Sequence, residues 1–203
     1  MKIIQRFTPS DSTCEQSSTV TLGTFDGVHA GHAEIINRVL SHSRCAGTKA
    51  VVVTFHRPPA MVLGKDAAPG LITTSGEKLV LLESAGIDTV CVLEFTESIA
   101  AMHAEDFIRD YLVSCLGMKH FIVGYDHGFG RDRGGTAEGM RRYAERFGFE
   151  LEIVPPVQSN GREVKSSTIR AMLREGDVSG AALMLGRQYS LSGRVVHGTA
   201  KGR

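Results

Sequence analysis

The sequence predicts an α/β protein, a five-stranded, mostly parallel sheet with helices packed on both faces. Three observations carry that prediction. Short apolar runs alternate with helical patterns from Ser18 to Pro155, the order that builds a parallel sheet through crossover helices. The run Lys49–Phe55, "KAVVVTF", is almost continuously β-branched, as expected of a strand covered on both sides. The stretch "TLGTFDGVHAGHAEIINRVL", Thr21–Leu40, passes from a strand through a glycine-rich turn into a helix, and in such sheets ligands bind beyond the carboxyl ends of the strands.

Each element follows from its pattern. "STVTLG", Ser18–Gly23, is the first strand; the helix after it runs from about Gly31 to Cys45 and buries Ile35, Ile36, Val39 and Leu40. After the second strand, Lys49–Phe55, "GEKLVLLESAG" is helical and stops at Gly86. "DTVCVLEF" is the third strand. Ser98–Leu116 reads as one long amphipathic helix carrying Phe107, Ile108, Tyr111 and Leu112. "KHFIVGY" is the fourth strand, Thr136–Phe147 a helix and "FELEIVP" the fifth strand. Beyond Pro155-Pro156, "VQSNGREVK" reads as a polar loop and "SSTIRAMLREG" as a short helix with Ser166 or Ser167 as N-cap. Val178–Leu185 is a further helix, and "YSLSGRVVHGTAKGR" alternates like a strand before a basic, glycine-rich end.

Composition narrows the function. Lys+Arg 23 against Asp+Glu 22 leaves a formal charge of +1, which offers no general attraction to nucleic acid or an anionic membrane. No apolar run approaches the ~20 residues of a membrane span, and the N-terminus turns polar too early for a signal peptide. The four cysteines, Cys14, Cys45, Cys91 and Cys115, form no CxxC pair; Cys91 and Cys115 sit in apolar patterns as small core residues. The reading is a reduced, cytoplasmic protein with no nucleic-acid or membrane partner, and it leaves the oligomeric state open.

Chemistry concentrates at the glycine turn. Gly23, Gly27 and Gly31 match neither G-x-G-x-x-G nor a Walker A loop, yet glycines after a strand allow close backbone approach to a ligand. The helix start that follows favours a phosphate. His29 and His32 share one face of its first turn. An imidazole there can donate to a phosphate oxygen, with a bond that strengthens as charge grows in a transition state; two histidines in place of a Walker lysine suit attack at an α-phosphate. The pair lacks a third ligand at zinc spacing, so no residue is assigned to a metal. Asp26 is read as capping the turn. Ser166, Ser167, Thr168 and Arg170, at a second helix start, combine hydroxyls, open N–H groups and one guanidinium, the makings of a pyrophosphate site; plain capping with a surface arginine is the other reading.

"GTFDGVHAGH" resembles the signature of the bacterial FAD synthetases, the bifunctional riboflavin kinase/FMN adenylyltransferases, and His29-Ala30-Gly31-His32 matches the H-x-G-H of the wider nucleotidyltransferase superfamily. "VGYDHGFGRDRGG", Val123–Gly135, is similar to the family's G-x-D-x-x-F-G loop, "VKSSTIRAML" to its I-S-S-T-x-I-R segment, and the stretch from Arg174 to Arg203 to its junction with the kinase domain. The chain departs from the family's Thr-Phe-x-Pro-His-Pro at Thr54-Phe55-His56-Arg57-Pro58-Pro59, and at Gly128.

The resemblance implies a Rossmann-like nucleotidyltransferase fold over residues 1–186, with 187–203 as the incomplete start of a β-rich riboflavin kinase domain. It implies FMN adenylyltransferase chemistry, FMN and ATP to FAD and pyrophosphate, with Mg²⁺ arriving on ATP and kinase activity only in a longer chain. The nucleotide would lie on Gly23, Thr24, Phe25, Gly27, His29, His32, Ser166, Ser167, Thr168 and Arg170, with His29, His32, Ser167 and Arg170 serving catalysis. The flavin would meet Phe55, Asp126, Phe129 and Arg131, with Arg133 nearby. Asp126 is read either as a ligand to ribose hydroxyls or the flavin phosphate, or as a turn residue. Another H-x-G-H nucleotidyltransferase with a different phosphate acceptor, or a non-catalytic flavin- or nucleotide-binding module, is the alternative.

Overall fold

The computed structural model describes residues 1–10, 17–57, 59–62, 70–131 and 135–197. Cys14, Pro58, Arg133 and residues 198–203 lie outside them. The sheet has six strands, β1 (Lys2–Gln5), β2 (Ser18–Leu22), β3 (Lys49–Phe55), β4 (Thr89–Leu93), β5 (Met118–Gly124) and β6 (Glu150–Val154), in the order β1-β4-β3-β2-β5-β6. Every pairing in it is parallel. The expected count of five is therefore corrected to six. The missed strand is "KIIQ", four residues on the sheet edge with Ile4 alone turned inward, too short to show an alternation.

The faces are covered as the runs require. Val51 and Val53 join Leu112, Phe121 and Met140 on one side, while Ala50 and Val52 join Ile36, Val39 and Leu82 on the other. The second face carries α1 (Ala30–Ala46) and α3 (Ser75–Ser84); a shorter turn, α2 (Pro59–Val62), follows β3. The first face carries α6 (Ala137–Phe147) and the helical stretch between β4 and β5.

That stretch is not the single helix expected for Ser98–Leu116. It divides into α4 (Glu97–Ala100), α5 (Ala104–Phe107) and a π-helical segment Ile108–Cys115. The cause is tertiary. The Met102 carbonyl accepts the Arg131 N–H at 3.0 Å, and Gly130 packs so closely that a Cβ on it would lie 2.7 Å from the Ala104 nitrogen. A loop from beyond β5 is seated in the break.

After β6, the polar segment holds a small hairpin, β7 (Gln158–Ser159) and β8 (Arg162–Glu163). Asn160 and Gly161 turn it with φ of 50° and 73°, the paired left-handed values of a type I′ turn. Then come α7 (Ser166–Glu175) and α8 (Val178–Leu185), packed on each other over Ile72, Val164, Ile169 and Met184. The alternating segment from Tyr189 to His197 carries no strand; Leu191, Val195 and Val196 are exposed. No kinase-like β structure is present among the described residues.

Setting β1 aside, the order β4-β3-β2-β5-β6 changes direction at β2 and β5: chain leaves β2 toward β3 beneath α1, and leaves β5 toward β6 beneath α6. A ligand crevice is expected between the carboxyl ends of those two strands. His29 follows one of them and Asp126 the other.

Candidate active site

A cavity of about 750 Å³ opens at that point. Gly23, Thr24, Phe25, His29 and His32 line it from the β2 side; Asp126, Phe129 and Arg131 line it from the β5 side. Phe55 contributes from the end of β3, and Ser166 and Ser167 from the start of α7. Most of the residues singled out from the sequence thus meet in one place. Gly27, Thr168 and Arg170 do not line it.

The turn explains its glycines. Gly27 has φ +83°, and a Cβ there would sit 3.0 Å from Ile72. Gly23 leaves room for the Phe25 ring and Gly31 for the His29 ring, which an added Cβ would approach to 3.1 and 3.2 Å. Gly23 and Gly31 thus let two rings fold back onto the chain, and both line the cavity. Phe25 and Val28 also take positive φ, 49° and 37°, the left-handed region that costs a β-branched residue most.

His29 is the N-cap of α1: its Nδ1 accepts the His32 N–H at 3.3 Å. A neutral imidazole that accepts at Nδ1 carries its proton on Nε2, so the nitrogen left for a ligand is a donor. The two imidazoles stack at 3.6 Å between centroids and 14° between planes, with Phe25 against His32 at 5.0 Å. Burial lowers the His29 pKa to about 4 against the opposing pull of Asp26 and Asp126. Burial, then His29 and Lys78, push His32 well below the ordinary imidazole value. Both rings are neutral at physiological pH.

Asp26 does more than cap. Its buried carboxylate accepts the N–H groups of Ile72 (2.9 Å) and Thr73 (3.2 Å) on one oxygen and the Arg170 guanidinium (2.8 Å) on the other. The Ser166 hydroxyl donates to the Asp26 carbonyl at 3.0 Å. The N-cap of α7 is consequently Lys165, with no side-chain cap bond, and not Ser166 or Ser167 as the sequence implied. Ser166 has been drawn away to the turn. What remains at the cavity wall is a helix start whose N–H groups no side chain has capped, a site that favours an anion. Arg170 keeps its Nε buried without a partner.

Two cations escaped the sequence reading. Lys78, on α3, donates to the Thr24 carbonyl, the Thr54 hydroxyl and the Phe55 carbonyl at 2.9–3.1 Å. Arg187, just after α8, donates to the carbonyls of Gly27 (2.7 Å) and Val28 (3.2 Å). Lys78 had a signal: it and Leu82, four residues apart, are the buried positions of α3, so a lysine stands where the helical period wants an apolar residue. Arg187 had none.

On the β5 side, Asp126 and Arg131 are exposed and Phe129 half-buried, its ring against Phe107 and His127. His127 has a buried Nε2 with no partner, and burial lowers its pKa to about 4. Phe55 meets Phe95 edge-on at 5.6 Å. Aromatic faces therefore gather with His127 at this end of the cavity, and the stacked His29–His32 pair stands at the other. Among the described residues no group of three or more His, Cys, Asp or Glu side chains could hold a metal ion. None of the described helices is long and apolar enough to cross a membrane.

A sequence model of the FAD synthetase family matches residues 11–168. A bifunctional riboflavin kinase/FMN adenylyltransferase of Buchnera aphidicola subsp. Acyrthosiphon pisum is 33% identical over 92% of this chain and 60% of its own length. The protein of that description from Escherichia coli K12 is 31% identical over 100% of this chain and 65% of its own. The chain thus spans less than two thirds of these relatives. A crystal structure of a macrolide-efflux protein from Streptococcus pneumoniae superposes with a TM-score of 0.89 at 31% identity, over 100% of this chain and 66% of that one. A pantoate-beta-alanine ligase from Francisella tularensis, 11% identical with a TM-score of 0.53 over 91% of this chain and 85% of its own, shares the fold alone. With a matched segment that contains the glycine turn, the paired histidines and the start of α7, the chain belongs to the FAD synthetase family.

Proposed function

We propose that the chain transfers the adenylyl group of ATP to FMN, releasing pyrophosphate and forming FAD. The observation that carries this reading is the stacked His29–His32 pair, neutral and partly buried, opening on a cavity with aromatic walls at the switch point of the sheet. A phosphate oxygen of FMN attacks the α-phosphorus of ATP in line, and the bond to the bridging oxygen of the β-phosphate breaks. The electron pair leaves on pyrophosphate. His29, donating through Nε2, and His32 stabilise the charge that grows on the α-phosphoryl oxygens. The uncapped start of α7, with the Ser167 hydroxyl, receives the departing phosphates, with Arg170 in reserve behind Asp26. Nothing here requires a covalent enzyme intermediate; the work is positioning and charge stabilisation.

Mg²⁺ suits this site as a companion of ATP. It is commonly bound through one or two carboxylates plus substrate phosphates, and Asp126 and Glu163 are the carboxylates of the cavity wall. When bound, the ion would neutralise phosphate charge. Phe55, Phe129 and Arg131 offer ring and guanidinium surfaces to the isoalloxazine. We read residues 1–186 as the adenylyltransferase unit working in the cytoplasm and the segment from Arg187 as a junction toward a kinase domain.

The test is FAD formation from FMN, ATP and Mg²⁺ by the purified chain, with riboflavin as a parallel substrate. His29→Ala should lower the rate on the order of 10²–10³-fold, as loss of one preorganised donor does. Turnover within a few-fold of wild type would remove His29 from this role. A chain that releases pyrophosphate only with another phosphate acceptor is a different nucleotidyltransferase.

A further inference from the structure

Lys78 is 7% exposed and lies outside the cavity, beneath its floor. A buried ammonium normally has a carboxylate against it, because desolvating a charge is costly. Lys78 has none within hydrogen-bond reach among the described residues. Its three acceptors are neutral oxygens, those of Thr24, Thr54 and Phe55, and two of those three residues line the cavity. Of the charged and titratable groups around it, Asp26 in the turn is committed to Arg170, and His29 and His32 at the head of α1 are neutral. The end of β3 brings a hydroxyl and a carbonyl. On α3 itself Glu77 is turned to Thr74 and Ser192. Around one turn there are thus three cations, Lys78, Arg170 and Arg187, and the turn itself supplies one carboxylate.

We propose that Lys78 is a positioning residue for the polyphosphate: it ties the ends of β2 and β3 together from below, and its uncompensated charge is balanced when the anion enters above. This deepens the adenylyl-transfer reading but rests only on the part that brings a nucleoside triphosphate to the glycine turn. The identity of the acceptor does not enter.

Anion binding and protonation of Lys78 are then linked. Burial lowers its pKa to about 8 in the unliganded protein, against the pull of Asp26. Without an anion the charge is lost above that pH, and with one it is retained. Affinity for Mg-ATP should therefore fall as pH rises through the free value and level off once the bound form also loses its proton. The expected loss is roughly tenfold, the order for unit charges about 12 Å apart at an effective dielectric of about 20.

The experiment is calorimetric titration of Mg-ATP, without FMN, from about pH 7 to about pH 9.5, on wild type, Lys78→Met and Lys78→Arg. Wild type should weaken roughly tenfold with net proton uptake near pH 8.5. Lys78→Met should bind roughly tenfold more weakly at pH 7 with a flat profile, and Lys78→Arg should bind well with a flat profile, since a guanidinium does not titrate there. Should Lys78→Met fail to fold, the proton uptake of wild type and the Lys78→Arg profile decide. A wild-type affinity independent of pH, or a decline that persists in Lys78→Arg, overturns the proposal. FAD formation assayed on the same preparations separates the two ideas: its absence with Lys78-dependent ATP binding intact removes FMN as acceptor and leaves Lys78 in place.

Discussion

Substitution of Asp26 tests how the glycine turn is held. The carboxylate is 4% exposed and Arg170 19%. Asp26→Ala strips the acceptor from three donors at once: the N–H groups of Ile72 and Thr73 and the Arg170 guanidinium. Each stranded N–H costs about 1 kcal/mol at the low end of the usual range. An arginine left without its partner costs about 3 kcal/mol when fully buried, and about 2 kcal/mol is reasonable for one that water partly reaches. The sum is about 4 kcal/mol, or about 8–16 °C in Tm for a chain of this size. Asp26→Asn keeps the Oδ1 acceptor for the backbone and loses only the charge, so about 2 kcal/mol and about 4–8 °C are expected. The exposed Arg109–Asp110 pair, linked by two hydrogen bonds, is the control, since such surface pairs contribute about 0–1 kcal/mol. Thermal unfolding of the three variants, with Asp26→Asn combined with Arg170→Met to close a double-mutant cycle, measures the pair. If Asp26→Ala melts within about 2 °C of wild type, or shifts no more than Asp110→Asn, the carboxylate is not what holds this turn.

Acid stability should report the neutral imidazoles. His29 and His127 have native pKa values of about 4, so below about pH 6.5 the unfolded chain binds protons that the folded rings refuse; stability is full above that pH and falls by up to about 3 kcal/mol per ring toward pH 4. Urea unfolding midpoints between pH 7.5 and pH 4.5 check it, and because His32 is depressed as well, His127→Phe should remove roughly a third of the slope. Gly27→Ala meets both a φ of +83° and Ile72 at 3.0 Å, whereas Gly47→Ala meets a φ of +64° and open space. The first should cost about 3 kcal/mol and the second about 1 kcal/mol in unfolding free energy; equal costs would mean that Ile72 yields.

The parts legible in the sequence are those whose physics is local. β3 and α1 came from period and composition, and the cavity's position followed from where strands end. The shape of the Ser98–Leu116 stretch was not legible, because the break at Met102 is made by Arg131 and Gly130, which arrive from another loop. Ser166 was read as a cap because serine before a helix usually is one; its hydroxyl found a better acceptor 140 residues away. Asn160-Gly161 is a turn signal in the sequence, but the two-residue strands on either side have no period to mark them as a hairpin.

The cations that shape the turn show why a net charge of +1 is no guide to anion binding here. Every backbone carbonyl from Thr24 to Val28 accepts a hydrogen bond: Thr24 from Lys78, Phe25 from the Val28 N–H, Asp26 from Ser166, Gly27 and Val28 from Arg187. A turn with three positive φ values would otherwise present carbonyl oxygens, partial negative charges, in directions an ordinary loop does not. With those oxygens occupied from below and behind, the surface left to the cavity is ring donors and helix N–H groups, which a phosphate prefers. Lysine and arginine act on this site through the backbone they hold. Under the proposed function, that is why the loop needs no Walker-type lysine and why histidines would face the phosphates.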